Sequence, residues 1–165
     1  MCSSDLLVEE RVGEELPAPA LAAVGLDGLA DRHPRDLSGG ERQRLALEIV
    51  LRSAAGTPAV VCLDEPTRGM DRGHKDRLAR RLRELAAGGT AVVVATHDAE
   101  FAAAFAARTV LLGDGRPVAD ASTAEVLGGG WYFATQTARV LHGAALEPEA
   151  GAALLRARRR SEVLS

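Results

Sequence analysis

Three short stretches hold the residues able to do chemistry. In RDLSGGERQR (35–44), Ser38, Gly39 and Gly40 stand directly ahead of a helix-forming run. Glycines let a backbone come close to an anion, and the first turn of a helix offers free N–H groups and the positive end of its dipole. An ordinary capped helix entered through a Gly-Gly turn would read the same way. In VVCLDEPTRGMD (60–71), an apolar run ends in two adjacent carboxylates, Asp64 and Glu65. Ligands bind at the C-terminal ends of parallel strands, so a carboxylate pair placed there suits a reaction site. At an isolated strand end the same pair could simply cap the next turn. In ATHD (95–98) a histidine follows a further apolar run, a place where lone histidines are commonly structural or exposed. Together the first two stretches suit a site that handles a nucleotide.

The elements that must position these residues alternate in kind. LPAPALAAVGLDGLADRHP (16–34) reads as a short helix broken by glycines and a turn closed by Pro34. Ser38 and Glu41 have the spacing of a capping box, and RLALEIVLRS after them is apolar almost all round, as in a buried helix. PAVVCL (58–63) and TAVVVA (90–95) read as buried parallel strands, with Cys62 a buried thiol. Between them Leu78, Leu82 and Leu85 define an amphipathic helix with an arginine-rich outer face, ended by Gly88 and Gly89. DAEFAAAFAA (98–107) reads as helix, TVLL (109–112) as a third strand, and Gly113-Asp114-Gly115 as the turn of a hairpin into RPVAD. GGGWYF (128–133) looks like a linker with an aromatic anchor, and Pro148 to Arg160 like a helical tail. Strands alternating with helices predict an α/β fold, a parallel sheet with a small antiparallel edge.

Leu37-Ser38-Gly39-Gly40-Glu41-Arg42-Gln43-Arg44 closely resembles the signature motif of ATP-binding cassette (ABC) ATPases. Val60 to Thr67 resembles their Walker B motif, Arg68-Gly69-Met70-Asp71 their D-loop, and Ala95 to Asp98 their switch histidine. The four follow in the family's order, and the resemblance spans roughly residues 5–127, strongest over 35–71 and 95–98. It implies ATP and Mg²⁺ as cofactors, Asp64 as the metal ligand, and Glu65 as the general base that polarises the attacking water. His97 would reach the γ-phosphate. Ser38, Gly39, Gly40 and Gln43 would face a nucleotide held by a partner cassette, with Asp71 communicating across that dimer. His33, His74 and His142 are left as structural or exposed.

One expected part has no counterpart in these residues. A phosphate-cradling P-loop reads G-x-x-x-x-G-K-[ST]. The single lysine, Lys75, lies between His74 and Asp76, and the only glutamines, Gln43 and Gln136, are not placed as the family's Q-loop residue. The expectation is therefore an incomplete P-loop NTPase fold, a C-terminal portion starting just after the Q-loop, with a parallel sheet lacking the P-loop strand. Residues 1–127 would form that portion, with a helical signature part at about 5–52 and a Walker B to switch-histidine part at 58–127. Residues 128–165 would be linker and helical tail. The isolated chain would then be inactive.

The resemblance implies the ATP-hydrolysing subunit of an ABC transporter. LLVEERVGEEL (6–16), TRGMD (67–71) and the GGWYFATQTARVL stretch ending at Leu141 point to the energy-coupling-factor and cobalt importer type, hence a vitamin or metal-ion importer. Its partners would be a second ABC ATPase subunit or half and membrane-embedded transporter subunits. A catalytically inactive partner donating only its signature motif is a rival that leaves Glu65 and His97 without purpose. A chromosome-maintenance ATPase is another, but no heptads precede Leu37.

Composition fits this picture. At 165 residues the chain is one domain in size, and its net charge of -3 argues against a nucleic-acid partner. Hydrophobic content is 47% with 3% aromatic, giving a core of Ala, Leu and Val. Cys2 and Cys62 imply no disulfide. The first residues lack a signal-peptide pattern, and no run approaches the roughly 18 apolar residues of a membrane span. The expected location is the cytoplasmic face of the cell membrane, held there through partner subunits.

Overall fold

Ser38 and Glu41 open the first long helix. The Glu41 N–H donates to Ser38 Oγ at 3.3 Å and the Ser38 N–H to Glu41 Oε2 at 2.7 Å, the reciprocal pair of a capping box. The helix they start, α3, spans Gly39–Ala54. The chain is described by a computed structural model over residues 9–54, 60–129 and 133–163, in two units, Met1–Ala95 and Thr96–Ser165. Ahead of α3 come α1 (Val12–Glu15), α2 (Ala18–Ala23) and a 3-10 turn at Pro34–Asp36. The N–H groups of Val12 and Gly13 donate to the carbonyls of Arg32 and Ala30, tying α1 to the loop that leads into α3. Val12, Leu16, Leu21, Leu26, Leu37 and Leu45 form one buried cluster between these pieces. The short helix expected within 16–34 is α2, and α1 is an added turn too short to show periodicity.

Strand β1 (Val60–Asp64) pairs in parallel with β2 (Ala91–Ala95), Val60 opposite Ala91 and Asp64 opposite Ala95. Between them runs α4 (Arg72–Ala87), whose Leu78, Ala79, Leu82 and Leu85 are buried and which packs against β2. The strands occur where expected, but their burial differs. Val61 is buried, whereas Val60 and Val93 are 53% and 56% exposed and Cys62 is an exposed free thiol. A parallel sheet is normally covered on both faces. Here residues 60, 62, 64, 91, 93 and 95 share one face by the alternation of the strand, and all are exposed. The apolar run therefore reported strand formation correctly and burial incorrectly.

In the second unit, α5 (Ala99–Phe105) leads to an antiparallel hairpin of β3 (Arg108–Gly113) and β4 (Arg116–Ser122). Its two-residue turn has Asp114 at φ 48° and Gly115 at φ 72°, both left-handed, as a type I′ turn requires. Arg108 closes the hairpin with two 2.7 Å bonds to Asp120. A second capping box, Ser122 with Glu125, starts α6 (Thr123–Gly128), which packs on both strands. Then follow α7 (Gln136–Val140), capped by the buried Thr135, and α8 (Pro148–Val163). The helical tail is present as expected. The proposed aromatic anchor at Trp131 and Tyr132 lies outside the described residues, as does Cys2. Among the described residues the strands form two separate two-stranded sheets, one parallel and one antiparallel, rather than one sheet with an antiparallel edge. No described helix is long and apolar enough to cross a membrane.

Candidate functional site

The first unit brings two of the three chemical stretches into contact. Ser38 caps α3, and Gly39 and Gly40 form its first positions, with Ser38 and Gly39 exposed. The two glycines differ in what surrounds them. A Cβ at Gly39 would meet nothing within 4 Å among the described residues, whereas one at Gly40 would sit 3.1 Å from the carbonyl oxygen of Gly69. The turn before α3 thus packs backbone against backbone on the loop that follows Asp64 and Glu65. Gly69 takes φ 73°, a left-handed conformation suited to glycine. Gly39 is the position that leaves room for an incoming group. The Ser38 hydroxyl accepts the Glu41 N–H and is bonded to the Glu41 carboxyl, so donating to an incoming group would require it to turn from that carboxyl. Gln43 follows one turn into the same helix and is partly buried.

The carboxylate pair sits at the C-terminal end of β1, as expected. Asp64 is exposed and Glu65 partly buried. Glu65 has φ 45°, and its N–H donates to the carbonyl of Ala95 at 2.8 Å, extending the parallel ladder one residue past the strand. A non-glycine residue held in that region costs on the order of 1–3 kcal/mol and persists only where its surroundings enforce it. Pro66 and Thr67, both buried, follow at once, and the Arg68 N–H turns back to the Glu65 carbonyl. Among the described residues no group of three or more His, Cys, Asp or Glu side chains forms a metal cluster.

Asp71 is placed at the N-cap of α4. It accepts the His74 N–H at 2.9 Å and lies 2.8 Å from His74 Nδ1. Those bonds, the backbone one first, hold its carboxyl below the usual aspartate range. Sequence reading missed this pair, although an aspartate three residues ahead of a histidine at a helix start is a signal for it. His74 is largely enclosed, and its Nε2 is buried beside Gly25 with no hydrogen-bond partner among the described residues. In the second unit, His97 is exposed between β2 and α5. Its neighbours build the helix start: the Asp98 N–H donates to Thr96 Oγ1 at 3.1 Å, and Asp98 Oδ1 accepts the Phe101 N–H at 3.0 Å.

A family model described as "AAA domain, putative AbiEii toxin, Type IV TA system" matches residues 4–103. A putative ABC transporter ATP-binding protein of Streptomyces avermitilis is 50% identical over 123 residues, which are 74% of this chain and 21% of that protein. The hemin import ATP-binding protein of Jannaschia sp. is 41% identical over 117 residues, 68% of this chain and 43% of that protein. The chain thus spans about a fifth to two fifths of the length of these relatives. A solved ATP-binding cassette dimer, in a post-hydrolysis state with ADP and Pi, superposes with TM-score 0.53 at 29% identity, over 64% of this chain and 44% of that one.

Proposed function

Since the chain belongs to the family described as AAA domain, putative AbiEii toxin, Type IV TA system, we propose that it serves as part of the ATP-binding and ATP-hydrolysing subunit of an ABC transporter. Its fold is part of the P-loop NTPase fold in the ABC ATPase form. The observation that carries the reading is Glu65, held at φ 45° beyond the last residue of a parallel strand, directly after a second carboxylate. In this role Glu65 takes the proton of the attacking water. Ser38 donates its hydroxyl, and Gly39 its unobstructed backbone, to the phosphates of a nucleotide bound by a partner cassette. Gly40 and Gln43 complete that turn. The role proposed for His97 is to reach the γ-phosphate, and for Asp71 to communicate with the opposite cassette.

Mg²⁺ fits the donors present. It is usually bound through one or two carboxylates together with substrate phosphates and water, so an exposed Asp64 without a three-ligand cluster meets the need. Bound there, the ion would neutralise charge developing on the transferred phosphoryl group.

The finer reading is an importer of a vitamin or metal ion, supported by the residues TRGMD at 67–71 and in keeping with the hemin import relative. It implies a second cassette and membrane-embedded subunits as partners and a position at the cytoplasmic face of the membrane. It also divides the chain into a cassette portion to residue 127 and a tail from 128.

The test joins this chain to a P-loop-bearing N-terminal half and measures phosphate release. Glu65→Gln should lower turnover by about 10²–10⁴-fold while ATP binding survives. Asp64→Asn should weaken Mg²⁺-dependent nucleotide binding as well. Equal loss of binding in both variants overturns the division of roles. The 165 residues alone should show no turnover, and activity from them that Glu65→Gln abolishes would contradict the need for a P-loop.

A further inference from the structure

The groove between α3 and α4 takes no part in the roles assigned above. Its cavity measures about 460 Å³, inside the range of small-ligand sites. Leu47 and Leu51 of α3 and Leu78 of α4 form its floor, all nearly inaccessible to water. Above them the walls carry four arginines, Arg44, Arg77, Arg80 and Arg81, against two glutamates, Glu48 and Glu84. Both glutamates are already matched: Glu84 lies 3.4 Å from Arg81 and Glu48 4.0 Å from Arg52. Arg77 also acts on Asp71 and Arg44 on Glu41, carboxylates outside the groove lining, and with Arg80 they place cations on both helices.

The groove is also preformed. Arg44 Nε donates to the Val24 carbonyl at 2.8 Å, which fixes the plane of its guanidinium. His74, in the same wall, is held by Asp71 and backed by Gly25. Arg77 and Arg80 stand exposed at the rim, as Arg83 does outside it, so a solvated outer face accounts for their exposure. It does not account for cations from two helices meeting over an apolar floor. Guanidinium forks recognise carboxylate and phosphate oxygens, and a buried leucine floor selects an alkyl chain.

We propose that the α3–α4 groove binds a small amphipathic anion, with a carboxylate or phosphate head among Arg44, Arg77 and Arg80 and a short apolar chain over Leu47, Leu51 and Leu78. A small molecule suits it better than a docking helix, because the space is a cavity of about 460 Å³ rather than a long trough.

Calorimetric titration of the 165-residue chain tests this, with decanoate and decyl phosphate as probes below their micelle concentrations. Decanol and acetate serve as the chain-only and head-only controls. Decanoate or decyl phosphate should bind at least about 10-fold more tightly than either control, and Arg80→Glu and Arg77→Glu should each weaken it by about 10-fold. Arg83→Glu makes the same charge change outside the groove and should leave binding unaltered. Circular dichroism of each variant checks that α4 is retained, and amide shifts of Leu47 and Leu78 on adding decanoate give a second readout in the unaltered chain. Equal affinity for decanol and decanoate, equal effects of Arg80→Glu and Arg83→Glu, or no binding by any probe would each overturn the proposal. So would shifts confined to residues outside the groove.

Discussion

The helical core and the strands are built from the same apolar residue types, yet their side chains end in opposite environments. Leu26 and Leu45, in the cluster made by α1, α2 and α3, are fully inaccessible. Val60 and Val93 on the parallel pair are more than half exposed, as is Leu112 at 68% on the hairpin. The helices bury one another because their partners lie within about 40 residues of sequence, and each covers the other's stripe. A strand has two faces, and a single neighbouring helix covers one of them. Apolar content therefore fixes whether a strand forms, while its burial depends on which other layers are present.

The sharpest way to break this comparison is a pair of truncations. Leu45→Ala removes a fully buried side chain and should cost about 2–5 kcal/mol of stability. Val93→Ser, on the open sheet face, should change stability by less than about 0.5 kcal/mol and raise solubility. Urea midpoints of the two variants read the difference. If Val93→Ser costs as much as Leu45→Ala, the sheet face is covered in solution and the contrast is lost. Joining the P-loop-bearing half should then make Val93→Ser costly too, because the added layers would bury that face.

Which features could be read from the sequence follows the same division. Signals contained within a few residues were legible. The Ser38–Glu41 box, the Leu78, Leu82, Leu85 stripe, the Gly88 stop and the Asp114–Gly115 turn all appear where their residues place them. Site geometry was legible in part: the carboxylates lie at the end of a parallel strand, as their neighbours imply. Contacts between separated segments were not legible. Nothing within SGGE says that Gly40 meets Gly69, because that requires two loops to approach. Cys62 was misread as buried because an apolar run does not report what lies over it. The second capping box, Ser122 with Glu125, carries the same local S-x-x-E signal as the first.

The adjacent glycines give a finer contrast inside one turn. Gly39→Ala enters open space at the start of a helix and should stabilise by a few tenths to about 1 kcal/mol through lost unfolded-state freedom. Gly40→Ala would gain the same helix preference but must push the Gly69 carbonyl away from 3.1 Å. Its net effect should have the opposite sign, with Gly69 forced off φ 73°. Denaturation midpoints of the two variants check this. The same sign for both would mean that the Gly40–Gly69 approach is loose enough to relax.

The smallest effects separate the two capping boxes. Ser38 with Glu41 starts a 16-residue helix and Ser122 with Glu125 a 6-residue one, through the same pair of backbone N–H bonds, with Ser122 Oγ also donating to Glu125 Oε2 at 2.6 Å. Removing a serine N-cap costs about 1 kcal/mol in general. Ser38→Ala should approach that value, since many packed residues depend on α3, while Ser122→Ala should remain below it. Both glutamates have their pKa lowered from 4.5 by bonds to the capping serine, its side chain first and its backbone N–H second. A carboxyl with a depressed folded-state pKa contributes stability that is complete above its unfolded value and fades as pH falls through the folded value. The contribution should therefore be flat above about pH 5.5 and decline below pH 4.5, the ordinary value from which both are displaced. Glu41→Gln keeps the shape and one acceptor but cannot titrate, so its stability relative to the parent chain should converge as pH drops toward 3.5. A gap between Glu41→Gln and the parent that stays constant from pH 7 to 3.5 would show that the Glu41 charge contributes nothing to starting α3.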